Sequence, residues 1–230
     1  MRDTLCLHEE LLLLALRDDK GTVKSSVTIE YPLAGAILAE LLLQKRLTID
    51  PTRPKKQLVA LADKTLFGDP LLDETILKIR DTRRPASLKS WVMRIARLKK
   101  LRHRTAERLC RRGILRSDKQ KVLLFFTRRV YPQVNPEPQR QLVNRLRGAV
   151  FGAGEVDPRT SVLVALAYNS GVLKNVFAKQ ELKAHKQRIK QIATGDAVGR
   201  ATREAIMAVQ TAVMMAAVIP AITGTAAGRH

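Results

Sequence analysis

The segment from Leu33 to Arg46, LAGAILAELLLQKR, narrows the choice of fold more than any other stretch. Pro32 precedes it and suits the first turn of a helix, where a missing N–H costs nothing. Apolar side chains then fall at nearly every helical angle, interrupted by Glu40 before the charged end. A helix that is greasy all round has to be enclosed by other elements. The chain is therefore expected to build around this helix.

The neighbouring segments supply the enclosure. HEELLLLAL at residues 8–16 predicts a helix with glutamates in its first turn, where the dipole favours them. Asp18-Asp19-Lys20-Gly21 reads as a turn, and Val23 to Ile29 as a short β-like stretch. Leu47–Ile49 and Leu58–Leu61 are expected to pair across a basic, proline-containing loop. Asp69-Pro70 and Asp157-Pro158 each place a capping carboxylate before a first-turn proline, and Ser87 caps a helix through Trp91 to about Leu98. Gln139–Val150 carries Leu142, Leu146 and Val150 on one face, and Val172 to Ile192 continues as helix. Aromatics are only 4% against 45% hydrophobic residues, so small aliphatics do the packing, which suits helices better than a β-sandwich. The expected fold is mainly α: one domain over residues 1–230, a central helix bundle surrounded by amphipathic helices, with a protruding β-hairpin at about 117–132.

Charge is concentrated. Of the net +21, residues 78–147 hold +18, from 22 Lys and Arg against 4 Asp and Glu. A patch of that density repels itself unless an anion sits on it, which points to nucleic acid or acidic lipid as partner. Within it, Lys99 to Pro132 reads KKLRHRTAERLCRRGILRSDKQKVLLFFTRRVYP. Leu98, Leu101, Thr105 and Leu109 form a stripe that must bury. Lys99 and Arg102 neighbour each other on one flank, and Lys100, Arg104, Arg108 and Arg111 line the other. Gly113 ends the helix. An apolar run, Val122 to Phe126, then turns back through Thr127 to Tyr131, and Pro132 stops the pairing. Leu123, Leu124, Phe125 and Phe126 lack the alternation of a half-buried strand. Either protein covers both faces or one face is offered to something apolar.

Other classes fit less well. The last apolar stretch, Ala205 to Ile219 within a helix at about 203–222, is fifteen residues long and ends at Pro220. At 1.5 Å per residue it falls short of a hydrocarbon core of roughly 30 Å, so a buried core helix is expected. His8, Glu9 and Glu10 break the first leucine run, so it does not read as a secretion signal. Two cysteines, Cys6 and Cys110, make no disulfide framework and suit a reducing compartment. No zinc-protease, nucleophile-elbow or phosphate-loop motif is present and the four histidines are scattered, so no catalytic residue, metal site or cofactor is expected.

The ordered landmarks resemble the Golgi phosphoprotein three family, which includes bacterial members. They are EELLLLAL, a charged turn and Gly21; LAGAILAELLLQKRL; GDPLLDE at Gly68–Glu74; ERLCRRGILRSDKQKVLLF; and DPRTSVLVALAYNSGVL at Asp157–Leu173. Together they span about residues 4–220. The resemblance implies a helical domain with a protruding hairpin, and a peripheral membrane protein that binds phosphatidylinositol 4-phosphate. Its headgroup pocket, basic residues plus a tryptophan, falls on Lys99 and Arg102, with Arg104 close by. Its hairpin, used for membrane insertion and self-association, falls on Val122 to Tyr131. Two positions depart from the pattern: no aromatic lies between Gly21 and Ile29, and Ala34 stands where the family has a pocket arginine. The eukaryotic arginine-rich N-terminal extension does not precede the first landmark, as in a bacterial or minimal member.

The physics supports docking on an anionic membrane. Each cation near an anionic leaflet contributes on the order of 1 kcal/mol, and each fully inserted Leu or Phe roughly 1.5–3 kcal/mol. Arg128 and Arg129, just past the apolar run, are placed to reach headgroups. The expected setting is cytoplasmic, peripheral on the cytosolic face of a membrane (the Golgi in a eukaryote), with client proteins and hairpin self-association as further partners. The rival is a winged-helix-like nucleic-acid-binding protein, with ERLCRRGIL as recognition helix and VLLFFTRRV as wing. The apolar wing and the lack of Asn or Gln near the helix start count against it.

Overall fold

The computed structural model describes residues 4–16, 21–23, 29–122, 126–195, 202–211 and 214. Helix α1 (Leu7–Ala15) is buried along its whole length, and α2 (Glu30–Leu43) is buried from Tyr31 to Leu42. α2 packs against α1, α3 (Pro70–Arg80), α4 (Leu88–Ala96), α5 (Leu101–Arg111) and α7 (Pro158–Asn169). It is the central helix that its all-round apolar sequence demands. One continuous apolar core runs from Leu7 through α2 to Val209.

The caps form where the sequence places them. Asp69 Oδ1 accepts from the N–H of Leu71 at 2.8 Å and of Leu72 at 3.1 Å. Asp157 accepts from Thr160 N–H at 3.0 Å, and Ser87 from Ser90 N–H at 3.3 Å. A small antiparallel sheet joins β1 (Leu47–Ile49) to β2 (Leu58–Leu61), with Thr48 opposite Ala60. A third strand, β3 (Ala86–Ser87), adds to β2 and was not expected; two residues carry too little pattern to announce a strand.

Two expectations change. The basic helix does not run on from Leu98: α4 ends at Ala96, Lys100 adopts a left-handed φ of 57°, and α5 begins at Leu101. Its buried stripe is nonetheless Leu101, Thr105 and Leu109. The stretch after Val172 is three short helices, α8 (Leu173–Val176), α9 (Lys179–Ala184) and α10 (Lys186–Thr194). Glu181 causes the first break by accepting the N–H of Ala178 at 2.9 Å, which starts a new helix there. Residues 202–211 are helical and bury Ala205, Ile206, Ala208 and Val209; most of the rest of the expected final helix lies outside the described residues. No helix among the described residues is long and apolar enough to cross a membrane.

After α5 the chain forms the hairpin. Strands β4 (Asp118–Val122) and β5 (Phe126–Val130) pair antiparallel, with Lys119 opposite Arg129 and Gln120 opposite Arg128. Residues 123–125 lie outside the described residues, as do the side chains of Val122 and Phe126. α6 (Glu137–Phe151) then returns along α1 and α7.

Candidate functional site

The start of α5 and the base of the hairpin meet at the loop that follows α1. Tyr131 N–H donates to Gly21 O at 2.9 Å, which stitches that loop to the end of β5. Gly21 has a φ of +56°, and a Cβ there would sit 2.1 Å from the Tyr131 carbonyl carbon, so only glycine fits. Between these elements lies a pocket of about 440 Å³. Lys100, Arg102 and His103 line it from α5 and its cap, Thr127, Arg128 and Arg129 from β5. Leu12, Leu16 and Ala106 contribute its apolar wall.

Four cations therefore converge on one cavity. Arg128 donates from Nε and Nη2 to Gln120 Oε1 at 3.0 and 2.7 Å, which fixes its guanidinium on the strand. Arg129 Nη1 donates to Glu107 Oε1 at 2.9 Å. Among the described residues, Lys100 and Arg102 have no carboxylate within ion-pair distance. Glu107 thus offsets one charge and the others stay uncompensated. His103 Nδ1 lies 2.8 Å from the Tyr131 hydroxyl. Burial, then the charges of Arg102, Arg129 and Lys100, hold His103 below the usual histidine pKa, so it is neutral at neutral pH. A cavity with this lining attracts an anion and supplies planar guanidinium forks to hold it.

The sequence-predicted residues separate on this geometry. Arg102, Arg128 and Arg129 line the pocket. Lys99 is exposed in the α4–α5 turn and does not line it. Arg104 turns away to α3, where its Nη1 lies 2.7 Å from Glu74 Oε2. Leu123, Leu124 and Phe125 fall outside the described residues, and Phe126 is described only as backbone. Sequence reasoning missed Lys100, His103 and Tyr131 as pocket residues. Counting flanks along one unbroken helix put Lys100 on the wrong side, because its left-handed backbone resets the helical phase.

Arg108, expected on an outward flank, points inward. Its Nε lies 3.1 Å from Glu9 Oε1 and 3.0 Å from Asp69 Oδ2. Arg145 meets Glu10 at 2.8 Å, and Arg159 meets Glu40 at 3.0 Å. Glu9, Glu10, Glu40 and Asp69 are all nearly inaccessible to solvent. Part of the basic excess is therefore structural: it neutralises acids on α1, α2 and the α3 cap. Burial raises the Glu10 pKa in spite of Arg159 and Arg145 beside it.

Comparison with known proteins agrees in extent with the fold. A family model described as Golgi phosphoprotein 3 (GPP34) matches residues 7–209. "Vacuolar protein sorting-associated protein 74" of Schizosaccharomyces pombe is 37% identical over 139 residues, covering 53% of this chain and 41% of that protein. The chain thus spans about two fifths of the length of that curated relative.

Proposed function

The chain belongs to the Golgi phosphoprotein 3 family, and from that premise we propose that it is a non-enzymatic peripheral membrane adaptor that docks on anionic phospholipid. One observation carries the reading: Lys100, Arg102, Arg128 and Arg129 face a single pocket at the root of a hairpin. The pocket receives a phosphorylated headgroup such as that of phosphatidylinositol 4-phosphate. The apolar residues Leu123 to Phe125, between the two strands in sequence, and Phe126 at the start of β5 enter the acyl region. Exposed cations beside the pocket, Lys99 among them, add a screened attraction to the leaflet. The two contributions together suit reversible docking on the cytosolic face of a membrane. The relative's name refers to vacuolar protein sorting, and by likeness the docked chain would hold client proteins for sorting.

Vesicle co-sedimentation tests this. The chain should pellet with phosphatidylcholine vesicles containing phosphatidylserine or phosphatidylinositol 4-phosphate and stay in solution with phosphatidylcholine alone. Lys100→Glu with Arg102→Glu should abolish pelleting while the circular dichroism spectrum is unchanged. Replacing Leu123 and Phe126 by Ser should weaken binding more at high salt than at low, because the screened attraction is untouched. Equal binding to neutral vesicles would overturn the reading, and so would a DNA mobility shift at matched salt that exceeds vesicle binding.

A further inference from the structure

Asp69 caps α3 with one oxygen only. Oδ1 takes the N–H groups of Leu71 and Leu72, and Oδ2 lies between Arg108 Nε at 3.0 Å and the imidazole of His8, whose Nε2 is 3.6 Å away. His8 is fully buried, and neither ring nitrogen has a hydrogen-bond partner. A buried imidazole left in that state is costly, and in a folded protein it calls for a partner. Cys6, at the cap of α1, completes the group: its sulfur, a His8 nitrogen and an Asp69 oxygen all lie within 4.8 Å of one another.

We propose that Cys6, His8 and Asp69 bind a single divalent cation of the zinc type, which pins the start of α1 to the start of α3. Tetrahedral zinc holds N, O and S donors at about 2.0–2.3 Å, which places those donors about 3.3–3.8 Å apart. The His8–Asp69 spacing already meets that, and the thiol sulfur lies within 4.8 Å of both partners. The donor set selects the metal, since thiolate and imidazole favour zinc over calcium or magnesium. The fourth position belongs to water, reached from the Cys6 side, where the chain is partly exposed.

The charges balance. In the metal-free fold Cys6 is a free thiol. Binding replaces the thiol proton: Zn²⁺ and Cys–SH give Cys–S–Zn and a released H⁺, with no change in oxidation state. Thiolate and aspartate then cancel the two positive charges. Arg108 is the competing cation on Asp69, and it keeps Glu9 as a partner when the metal takes that carboxylate. The site is independent of the membrane reading.

The full-length chain, stripped with chelator, is titrated with Co²⁺ and then Zn²⁺. One equivalent of Co²⁺ should give thiolate charge-transfer and tetrahedral d–d bands, and Zn²⁺ should displace it with release of protons. Zn²⁺ should raise the Tm of the wild type. Cys6→Ser retains a capping side chain and should fold, yet lose the charge-transfer band and the Tm increase. Both Cys6→Ser and His8→Gln should weaken Zn²⁺ binding by more than the roughly 10–100-fold that lost outer partners of a metal site cost. Absence of cobalt bands in the wild type, or bands unaltered by Cys6→Ser, overturns the proposal.

Discussion

Arg159 Nη1 donates to both carboxylate oxygens of Glu40 at 3.0 Å, across 119 residues of sequence. Glu40 also accepts the N–H of Leu7 at 2.8 Å. The carboxylate that interrupts the central helix therefore anchors α7 and the start of α1 to α2. Removing one member of a buried pair leaves the other charged and unsolvated. Arg159→Ala should cost about 3–5 kcal/mol of unfolding free energy. Arg159→Lys should recover only part of it, because one ammonium cannot hold Glu40 and also replace Nη2, which donates to Leu5 O and faces Glu10. Urea unfolding checks this, and a loss below about 1 kcal/mol would mean that water reaches Glu40 in the fold.

Arg102 and Arg104 are two residues apart and differ in role. Arg102 lines the anion pocket, whereas Arg104 is paired with Glu74 on α3. Arg102→Glu should reduce vesicle binding at least tenfold, since it removes one pocket charge and adds an opposing one. Arg104→Glu should reduce it by less than about threefold, as a loss of general surface charge near the leaflet. Parallel co-sedimentation of the two variants is the measurement, and equal losses would place the headgroup outside the pocket.

Most of the backbone plan was legible because it is local. Asp69-Pro70, Ser87 and Asp157-Pro158 announce their helices within four residues, and the uninterrupted apolar character of α2 announces its central place. The site was less legible because its members come from separate elements. Arg102, Arg128 and Arg129 could be named from charge density, but Lys100 enters through a left-handed backbone that no periodicity shows. The inward arginines were hidden for another reason. Glu9 and Glu10 read as first-turn acids, yet α1 is buried all round, so each requires a cation, and these lie 99 and 135 residues away. The usable signal was the apolar run itself: polar residues inside a helix with no solvent face must be paired.

Gly21 fixes the loop after α1 against the hairpin base. Alanine there would need a left-handed backbone and would drive its Cβ into the Tyr131 main chain at 2.1 Å. A clash with backbone cannot be relieved by rotating a side chain. Gly21→Ala should lower stability by about 2 kcal/mol or more and open the pocket, with the Tyr131 N–H bond lost. Thermal unfolding reads the first effect and faster amide hydrogen exchange at Tyr131 the second. An unchanged exchange rate would show that the contact is dispensable.

His103 gives the pocket a dependence on pH. It faces Lys100 and Arg102 from its own helix region, Arg129 from β5, Glu107, and the Tyr131 hydroxyl. Burial and the surrounding cations depress its folded pKa below the unfolded value. Its neutral form therefore adds stability above the unfolded pKa, and that contribution is lost as pH falls through the folded pKa. A bound anion opposes the cations and favours protonation, so lowering the pH from about 7 to 5 adds a positive charge to the occupied pocket. Wild-type binding to phosphatidylserine vesicles should tighten over that range by about fivefold relative to His103→Gln, the equivalent of one more cation near the leaflet. The ratio of the two proteins at each pH removes titration of the lipid. A ratio that stays flat would assign His103 to packing against Tyr131 and leave anion binding to the arginines and Lys100.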